Sequence, residues 1–587
     1  MTNKQRTWGQ FATPVDVADL LLGFCLRRAD DRLLDPSCGD GALLRRAAAW
    51  QEWLSAGGRS PGVHGVELDP EAAAVAESVP GASIARANFL TLDPARYPPF
   101  DAIVGNPPYT RAEWIERLDA AAGQLSLFDG DKAAQPTRPL LSAELGAALD
   151  GRAGLYAYFF LHCLGFLREG GRLGFVVPNG WLDVAYGEGL KRFLLAHFRV
   201  VAVIEPAAER WFAAAGVNTC VVVLERAGPD ARAANRVRFV RLSRPLRELL
   251  GPAQDARRVA AVEQLVTRLL PAADRTTDEY TVRVRPQATL DAAERWGTLL
   301  RAPDVYLRPP ARPVAPLGAW AAVRRGQTTG ANDFFYLDRR RIDEWNIAPE
   351  QRRPLLKSLR HVHNLRPTAL DVEQELLWVA PGEPAASAAR YLAWGEATGV
   401  ASRPTCAGRR PWYLLPAAPA GPLLLAKGVW QRHFAPLVEA DVAVDQQVYR
   451  VAPAADVSPL LAAALLNSAW FALGCELGGR VNLGEGVLWL ASYELRAVSL
   501  PDPRALNDDE RRALENAFLR LAEELVGDTD AALEQPARWA LDELVFDALG
   551  LTADERGTAR AALLECLAGR RRRAKKTETT DFTDYTD

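Results

Sequence analysis

"DRLLDPSCGDGALLRRAA", residues Asp31 to Ala48, is the stretch that sets the fold. A short apolar run ends in an acid, a turn carrying Gly39 and Gly41 follows, and a helical pattern begins. Glycine lets a backbone turn tightly and lets a ligand approach it closely. Strand, glycine turn and helix together open an α/β sheet that binds ligands at the carboxyl ends of its strands. The dinucleotide fingerprint needs three glycines in another spacing and serves a pyrophosphate. Here Asp35 ends the strand and Asp40 lies in the turn. Two acids repel a diphosphate. They suit an ammonium group, or a cationic methionine portion with ribose hydroxyls.

The alternation continues on both sides of this unit. Upstream, "ATPVDVADLLLGFCL" predicts a helix with Thr13 as N-cap, Pro14 at the first helical position and Asp16 in the first turn. Val17, Leu20, Leu21 and Phe24 then share a face. Downstream, "VHGVELDP" is a second strand, closed by Glu67, whose carboxylate can accept both ribose hydroxyls. "SIARANFL" is a third. Asn88 at its end can meet an adenine edge, with Phe89 or Leu68 against the ring face. "FDAIVGN" and "RLGFVVPN" are the fourth and fifth strands, and "LYAYFFLHCLGFLREGG" between them is an apolar helix stopping at Gly170 and Gly171. "RVVAVIEP" and "TCVVVLER" are the sixth and seventh. Too little chain separates them for a long crossover helix, which predicts an antiparallel pair.

"NPPY", Asn106 to Tyr109, follows the fourth strand. Pro107 and Pro108 lack backbone donors, and the residue before each proline is kept out of the helical region. Asn106 and Pro107 are therefore extended. The Asn106 side-chain oxygen and the Pro107 carbonyl can both accept hydrogens from one exocyclic amino group. Such a group is a weak nucleophile because its lone pair is delocalised into the ring, and two acceptors favour a pyramidal nitrogen. Asn also offers an N–H to a neighbouring ring nitrogen, which an ionised Asp does not. No protein nucleophile is needed, and positioning carries the chemistry. No Pro-Cys pair occurs, which argues against attack on a pyrimidine carbon. Tyr109 is expected to be exposed, with its face against the base. Tyr186, in "VVPNGWLDVAYG", can close the other face. A base held so has left its duplex.

The chain of 587 residues is long enough for several domains. A net charge of -3 neither advertises nor excludes nucleic acid, because charge can be segregated. Seven dispersed cysteines read as reduced thiols, not a disulfide framework or zinc site, and no metal is expected. The start, "MTNKQRTWGQF", does not resemble a signal peptide, and no apolar run is long enough to span a membrane. A cytoplasmic protein is expected. The reading assigns residues 1–245 to the α/β domain, 246–300 to a helical connector, 301–510 to a Trp-, Pro- and Arg-rich domain, 511–569 to closing helices and 570–587 to a disordered tail. "GQLSLFDGDKAAQPTRP", directly after NPPY, reads as a long functional loop. "PLLAAALLNSAWFALGCEL" reads as one helix. Residues 321–370 hold ten Lys or Arg against five Asp or Glu. Within them Arg324, Arg325, Gln327 and Thr328 can touch phosphates and base edges, and Lys357, Arg360, His361 and His363 can add backbone contacts.

These motifs resemble those of S-adenosyl-L-methionine-dependent DNA amino-methyltransferases. The likeness is to the adenine-N6 methylases of restriction-modification systems with the gamma motif order. "GQFATP" resembles the family's N-terminal cofactor motif, "DPSCGDG" its glycine-rich motif, "GVELDP" its ribose acid and "NPPY" its catalytic motif. "VVPNGWLDVAYG" resembles its second base-stacking segment, and "RRGQTTGANDFFYL" and "LLNSAWF…LPDP" resemble parts of the recognition domain. The resemblance runs over residues 8–510 and is firmest to about 230. It implies a Rossmann-like class I fold with a mostly parallel seven-stranded sheet, plus a C-terminal α+β target-recognition domain. It implies S-adenosyl-L-methionine held by Phe11, Thr13, Pro14, Asp35, Pro36, Cys38, Gly39, Asp40, Gly41, Glu67, Leu68, Asn88, Phe89 and Asn106. Catalysis falls to Asn106, Pro107, Tyr109 and Tyr186. Asn88 stands where the family often has Asp, and Tyr186 is spaced slightly differently from some relatives. Duplex DNA is the expected partner of a monomer, with a separate cognate restriction endonuclease. N4-cytosine, ribosomal-RNA and protein-glutamine methyltransferases can carry the same turn, and a DNA-binding subunit without activity is the remaining alternative.

Overall fold

The computed structural model describes residues 11–55, 62–110, 149, 154–212, 217–252, 256–367, 372–382, 384, 386–417, 420–481 and 486–574. The expected loop of residues 123–139 lies outside them, as do residues 575–587 of the expected tail. The chain divides into two units, Met1–Arg301 and Ala302–Asp587.

The first unit is built on one sheet. Its strands are β1 (Leu33–Asp35), β2 (Val63–Glu67), β3 (Ala82–Arg86), β4 (Phe100–Gly105), β5 (Leu167–Pro178), β6 (Phe198–Pro206), β7 (Thr219–Arg226), β8 (Arg236–Leu242), β9 (Arg275–Thr276) and β10 (Tyr280–Pro286). Their order is β3-β2-β1-β4-β5-β7-β6-β8-β10-β9. The first five strands pair in parallel. β7 is antiparallel to both β5 and β6, as the short β6–β7 connection predicts. The β1 carboxyl end lies at the switch point between β2 and β4, where open α/β sheets bind ligands. The helices of this part are α1 (Val15–Cys25), α2 (Ala42–Ser55), α3 (Pro70–Ala76), α4 (Leu155–Phe166) and α5 (Gly187–His197).

Both faces of the sheet are covered, so its central strands are apolar on both sides. Along β7, Val221 and Val223 join the core that holds Val17, Phe24 and Trp50 from α1 and α2. Val222 and Leu224 join the opposite core, with Phe160 from α4 and Leu194 from α5. That alternation is the period of two of a strand.

Several expectations change. The sheet has ten strands rather than seven. Residues 246–300 are not a helical connector: β10 pairs with β8 over its whole length. Arg258, from the helix Arg257–Leu269, is buried against α1, where its Nε donates to Asp19 Oδ2 at 2.7 Å and its guanidinium also pairs with Asp16. Asp19 also accepts from Arg46 and from Trp50 Nε1. Pro14, not Thr13, precedes the first helix, and its carbonyl accepts from Val17 and Ala18. Thr13 is one residue too early to cap. α4 ends at Phe166, and Gly170 and Gly171 lie in β5, where Gly170 takes a φ of 72°.

The second unit mixes helices with small sheets. One sheet joins the strands Ala321–Arg325, Val448–Pro453 and Leu423–Ala426, all antiparallel. The expected helix over 459–477 is two, Pro459–Leu466 and Ala469–Gly478, bent by 62°. Ser468 caps the second, and the Asn467 amide exchanges two hydrogen bonds with Ala435. Both helices are buried in the unit's core. Among the described residues no single helix is long and apolar enough to cross a membrane. The last helix, Ala553–Ala574, runs past the expected start of the tail. Arg570 is 4% exposed, and its guanidinium donates to Glu476 and to the carbonyls of Trp430 and Gly486.

Candidate active site

The glycine turn after β1 is held by Glu67. Gly39 N–H donates to Glu67 Oε2 at 2.8 Å, and the N–H groups of Leu68 and Asp69 donate to Oε1 at 2.9 and 2.8 Å. Cys38 N–H donates to the Val66 carbonyl at 3.0 Å. The β1 and β2 turns are therefore one assembly. Its glycines differ in purpose. Both take positive φ, 54° at Gly39 and 81° at Gly41. A Cβ at Gly41 would stand 3.0 Å from Ala76 and Val79, so α3 needs the glycine for packing. Among the described residues a Cβ at Gly39 would meet nothing within 4 Å, which leaves space beside the Glu67 carboxylate.

Asp35 is 2% exposed at the end of β1 and accepts from Ser37 N–H at 3.1 Å. Burial pushes its carboxyl up to about 7; the Ser37 bond opposes this and the Glu67 charge adds to it. A Cβ at Gly105 would come within 3.1 Å of Asp35 Oδ1. Sequence reasoning passed over Gly105, although a glycine inside a strand signals close approach. Asp40 is exposed, caps the turn through Ala42 N–H and faces Arg45. Asn88 turns its amide oxygen to Leu90 N–H at 3.1 Å, which leaves the amide nitrogen to offer to a ligand. Leu68 is half-buried. Phe89 does not fit its expected role. It is 2% exposed, within 5.5 Å of Phe159 and 5.0 Å of Phe166 in the core, and Leu68 is left as the apolar face.

At the end of β4, Asn106 Nδ2 donates to the Phe11 carbonyl at 2.8 Å. The "FATP" segment and NPPY are thus joined by a hydrogen bond. That bond sets the amide orientation and commits one N–H that the sequence reading had offered to a ring nitrogen. Asn106 Oδ1 is buried and has no hydrogen-bond partner among the described residues. Buried polar atoms are nearly always paired, so an orphan acceptor marks a place for an incoming donor. Pro107 is buried beside it.

Tyr109 is half-buried rather than exposed. Its ring lies 6.1 Å from Phe11 and 6.1 Å from Phe212, and its hydroxyl donates to the Val176 carbonyl at 3.5 Å. Phe212 arrives from beyond β6 and carries no local signal in the sequence. Tyr186 stands just before α5, makes no side-chain capping bond, and packs half-buried against the core on the α4 side of the sheet, beside Tyr156. No ring contact joins it to Tyr109 among the described residues. Burial, then the neighbouring Tyr186, raises the Tyr156 phenol. The loop bearing Tyr186 is tied down by Arg301, which donates to Asp183 Oδ2 at 2.8 Å and to Glu205 at 2.7 and 2.8 Å. Among the described residues no group of three His, Cys, Asp or Glu side chains is placed to hold a metal.

In the second unit, the basic stretch separates into exposed and buried members. Arg324, Arg325, Lys357, Arg360, His361 and His363 are exposed, and Thr328 is half-buried. Gln327 is 2% exposed, its N–H bonds the Val444 carbonyl and its amide donates to the Pro416 carbonyl at 3.0 Å. It braces the loop and is not free to read a base. Gly326 is required there, because a Cβ would stand 2.3 Å from the Asp445 carbonyl.

Two family models match the chain. The Eco57I restriction-modification methylase model covers residues 85–212, and the C-terminal domain of the type II methyltransferase M.Eco57I covers 310–532. The chain belongs to the restriction-modification methylases. This methylase is similar to the type II methyltransferase M.XamI of Xanthomonas campestris pv. amaranthicola, 28% identical over 56% of the chain and 53% of that protein. It is similar to M.TthHB8I of Thermus thermophilus, 32% identical over 33% of the chain and 40% of that protein. The matches thus take in about half or less of those relatives' length. A solved structure, the type IIG restriction endonuclease BpuSI, aligns over 98% of the methylase and 68% of its own chain at 13% identity, with a TM-score of 0.44, a likeness too loose to argue from. S-adenosyl-L-methionine is the cofactor expected of this family. The open cradle at Gly39 and the carboxylates of Asp35 and Glu67 fit it.

Proposed function

We propose that this methylase transfers a methyl group from S-adenosyl-L-methionine to the N6 amino group of an adenine flipped out of duplex DNA. The observation that carries the reading is Asn106 Oδ1, a buried acceptor without a partner at the carboxyl end of β4. The cofactor supplies an electrophilic methyl on a sulfonium, so the chain need only hold and orient. Glu67 meets the ribose hydroxyls, Leu68 and Asn88 the adenine ring, and Asp35 the cationic end. Asn106 Oδ1 and the Pro107 carbonyl accept the hydrogens of the target amino group and direct its lone pair toward the methyl. The amino nitrogen gains the methyl and afterwards gives up one proton. Tyr109 flanks the base, with Phe11 and Phe212 bracing its ring; Tyr186 is the proposed second aromatic.

The second unit supplies the DNA contacts in this reading. Arg324, Arg325, Thr328, Lys357 and Arg360 are the candidate contacts, because they are the accessible members of the basic stretch. The methylase acts as a monomer and modifies sites that a separate restriction endonuclease would cut. The test is transfer of label from S-adenosyl-L-methionine to duplex DNA, followed by nucleoside analysis. N6-methyladenine is the expected product. N4-methylcytosine or labelled protein would overturn the assignment, and DNA binding without label would point to a binding subunit.

A further inference from the structure

The second unit holds a cleft of about 440 Å³, within the roughly 300–1,000 Å³ of small-ligand sites. Its lining includes Arg325, Lys427, Tyr449, Arg480, Trp489 and Ser492. The main chain fixes its walls. Arg480 and Trp489 exchange two backbone bonds, at 2.9 and 2.8 Å. Leu490 N–H donates to the Lys427 carbonyl at 2.8 Å, and Lys427 N–H donates to the Gln447 carbonyl at 2.9 Å. Arg325 stands opposite Tyr449 in its strand pair, and the Tyr449 hydroxyl donates to the Leu490 carbonyl at 2.9 Å.

Three cations, Arg325, Lys427 and Arg480, line this cleft together with the Trp489 ring. Lys427 Nζ lies 5.8 Å from the centre of the Trp489 ring. Arg480 pairs with Glu494 at 2.9 Å. Among the described residues no carboxylate is within ion-pair reach of Arg325 or Lys427. Burial first, then the charges of Arg325 and Arg480, hold the Lys427 ammonium below its usual range, with Asp445 opposing. Like charges gathered in a partly buried cleft are costly unless an anion completes them. Cations beside a half-buried ring that lines the cleft match a phosphate next to a base, the combination used to hold nucleic-acid strands. A plain acid would leave the ring unused.

We infer that this cleft seats one nucleotide of the DNA strand, with the phosphate between Arg325 and Lys427 and the base or sugar against Trp489. The inference rests on the reading of the protein as a DNA methylase and adds a site to it. Strand alternation explains why Arg325 takes part and Arg324 does not, since neighbours project to opposite faces.

The test uses the full chain and a DNA duplex that the wild type methylates. Lys427→Gln should weaken DNA binding about tenfold and lower the slope of log affinity against log salt by about one. It should raise KM for DNA and leave kcat unchanged. Lys427→Arg should restore both. Arg512→Gln, at an exposed cation paired with Asp509, should change neither. Thermal unfolding of each variant separates lost binding from lost folding. If the wild type methylates DNA while Lys427→Gln binds with unchanged slope and KM, the cleft assignment is wrong and the methylase reading stands. If the wild type binds DNA without transferring methyl, that reading fails, and the salt slope of Lys427→Gln still decides the cleft.

Discussion

In the proposed reaction two side chains, Asn106 and Asp35, carry most of the chemistry, and both are set by what surrounds them. Asn106 holds one amide N–H on the Phe11 carbonyl and leaves its oxygen unpaired in a buried place. Asn106→Ala should lower transfer by about 10²–10³-fold while most cofactor affinity remains, which kinetics and equilibrium titration of one preparation will check. Loss of cofactor affinity alone would sink that division of labour. Asp35 makes a prediction in pH. Burial raises its carboxyl to about 7, yet a cationic ligand prefers it ionised. Cofactor affinity should therefore climb about tenfold per pH unit up to that point and level off above it. Asp35→Asn should remove the slope. The sign for stability is the reverse. A carboxyl raised on folding contributes stability that is full below its unfolded value and lost as pH rises through about 7, so cofactor-free protein should unfold more readily at pH 8 than at pH 5. Asp35, Glu67 and Asn106 were legible because each ends a strand within a short motif. Phe212 and Tyr156 were not, since only the folded chain brings them near the motifs. Phe89 misled because an aromatic after a strand reads equally well as a ligand face or as core.

Elements show what a local pattern can and cannot convey. The turn between β1 and α2 declared itself by its glycines, but their two purposes depend on α3. Gly39→Ala and Gly41→Ala should each cost about 1–2 kcal/mol for the left-handed backbone. Gly41→Ala should cost about 1–3 kcal/mol more, from crowding Ala76 and Val79. Cofactor affinity should fall further with Gly39→Ala, because its new methyl enters the open cradle. A thermal melt and a cofactor titration of both variants decide this. β1 to β7 could be read from apolar runs between turn residues. β8 and β10 could not, because "RVRFVRL" and "YTVRVRP" set arginines between their apolar residues. The period of two is present, yet the charge made these segments resemble surface chain. The bend at Asn467 and Ser468 was hidden in the same way, by an apolar run continuing on either side.

At the scale of the whole molecule, each unit is closed by distant chain segments. In the second, Arg570 reaches Glu476 deep in the core, where His433 also donates to that carboxylate at 2.7 Å. Burial pushes Glu476 up, but the bond and charge of His433 and the Arg570 contact bring it down to about 2. Stability from this carboxylate is present above its unfolded value near 4.5 and lost as pH falls toward 2. Arg570→Ala should cost about 3–5 kcal/mol by leaving the carboxylate short of a partner, and denaturant unfolding at pH 7 will measure it. In the first unit, the chain leaves the site at Thr110 and comes back at Leu155, whose N–H donates to the Thr110 carbonyl at 2.9 Å. The two ends of the intervening segment are thus clasped next to the turn of Asn106 to Tyr109. Once such a clasp exists, doubling the enclosed length costs only about 0.6 kcal/mol of closure entropy. This is a graft point: apart from Leu149, which packs in the core, chain between the clasped ends can change in length at little entropic cost to the strand that precedes Asn106, so in the proposed reading new contacts beside the target base can be acquired independently of the chemistry.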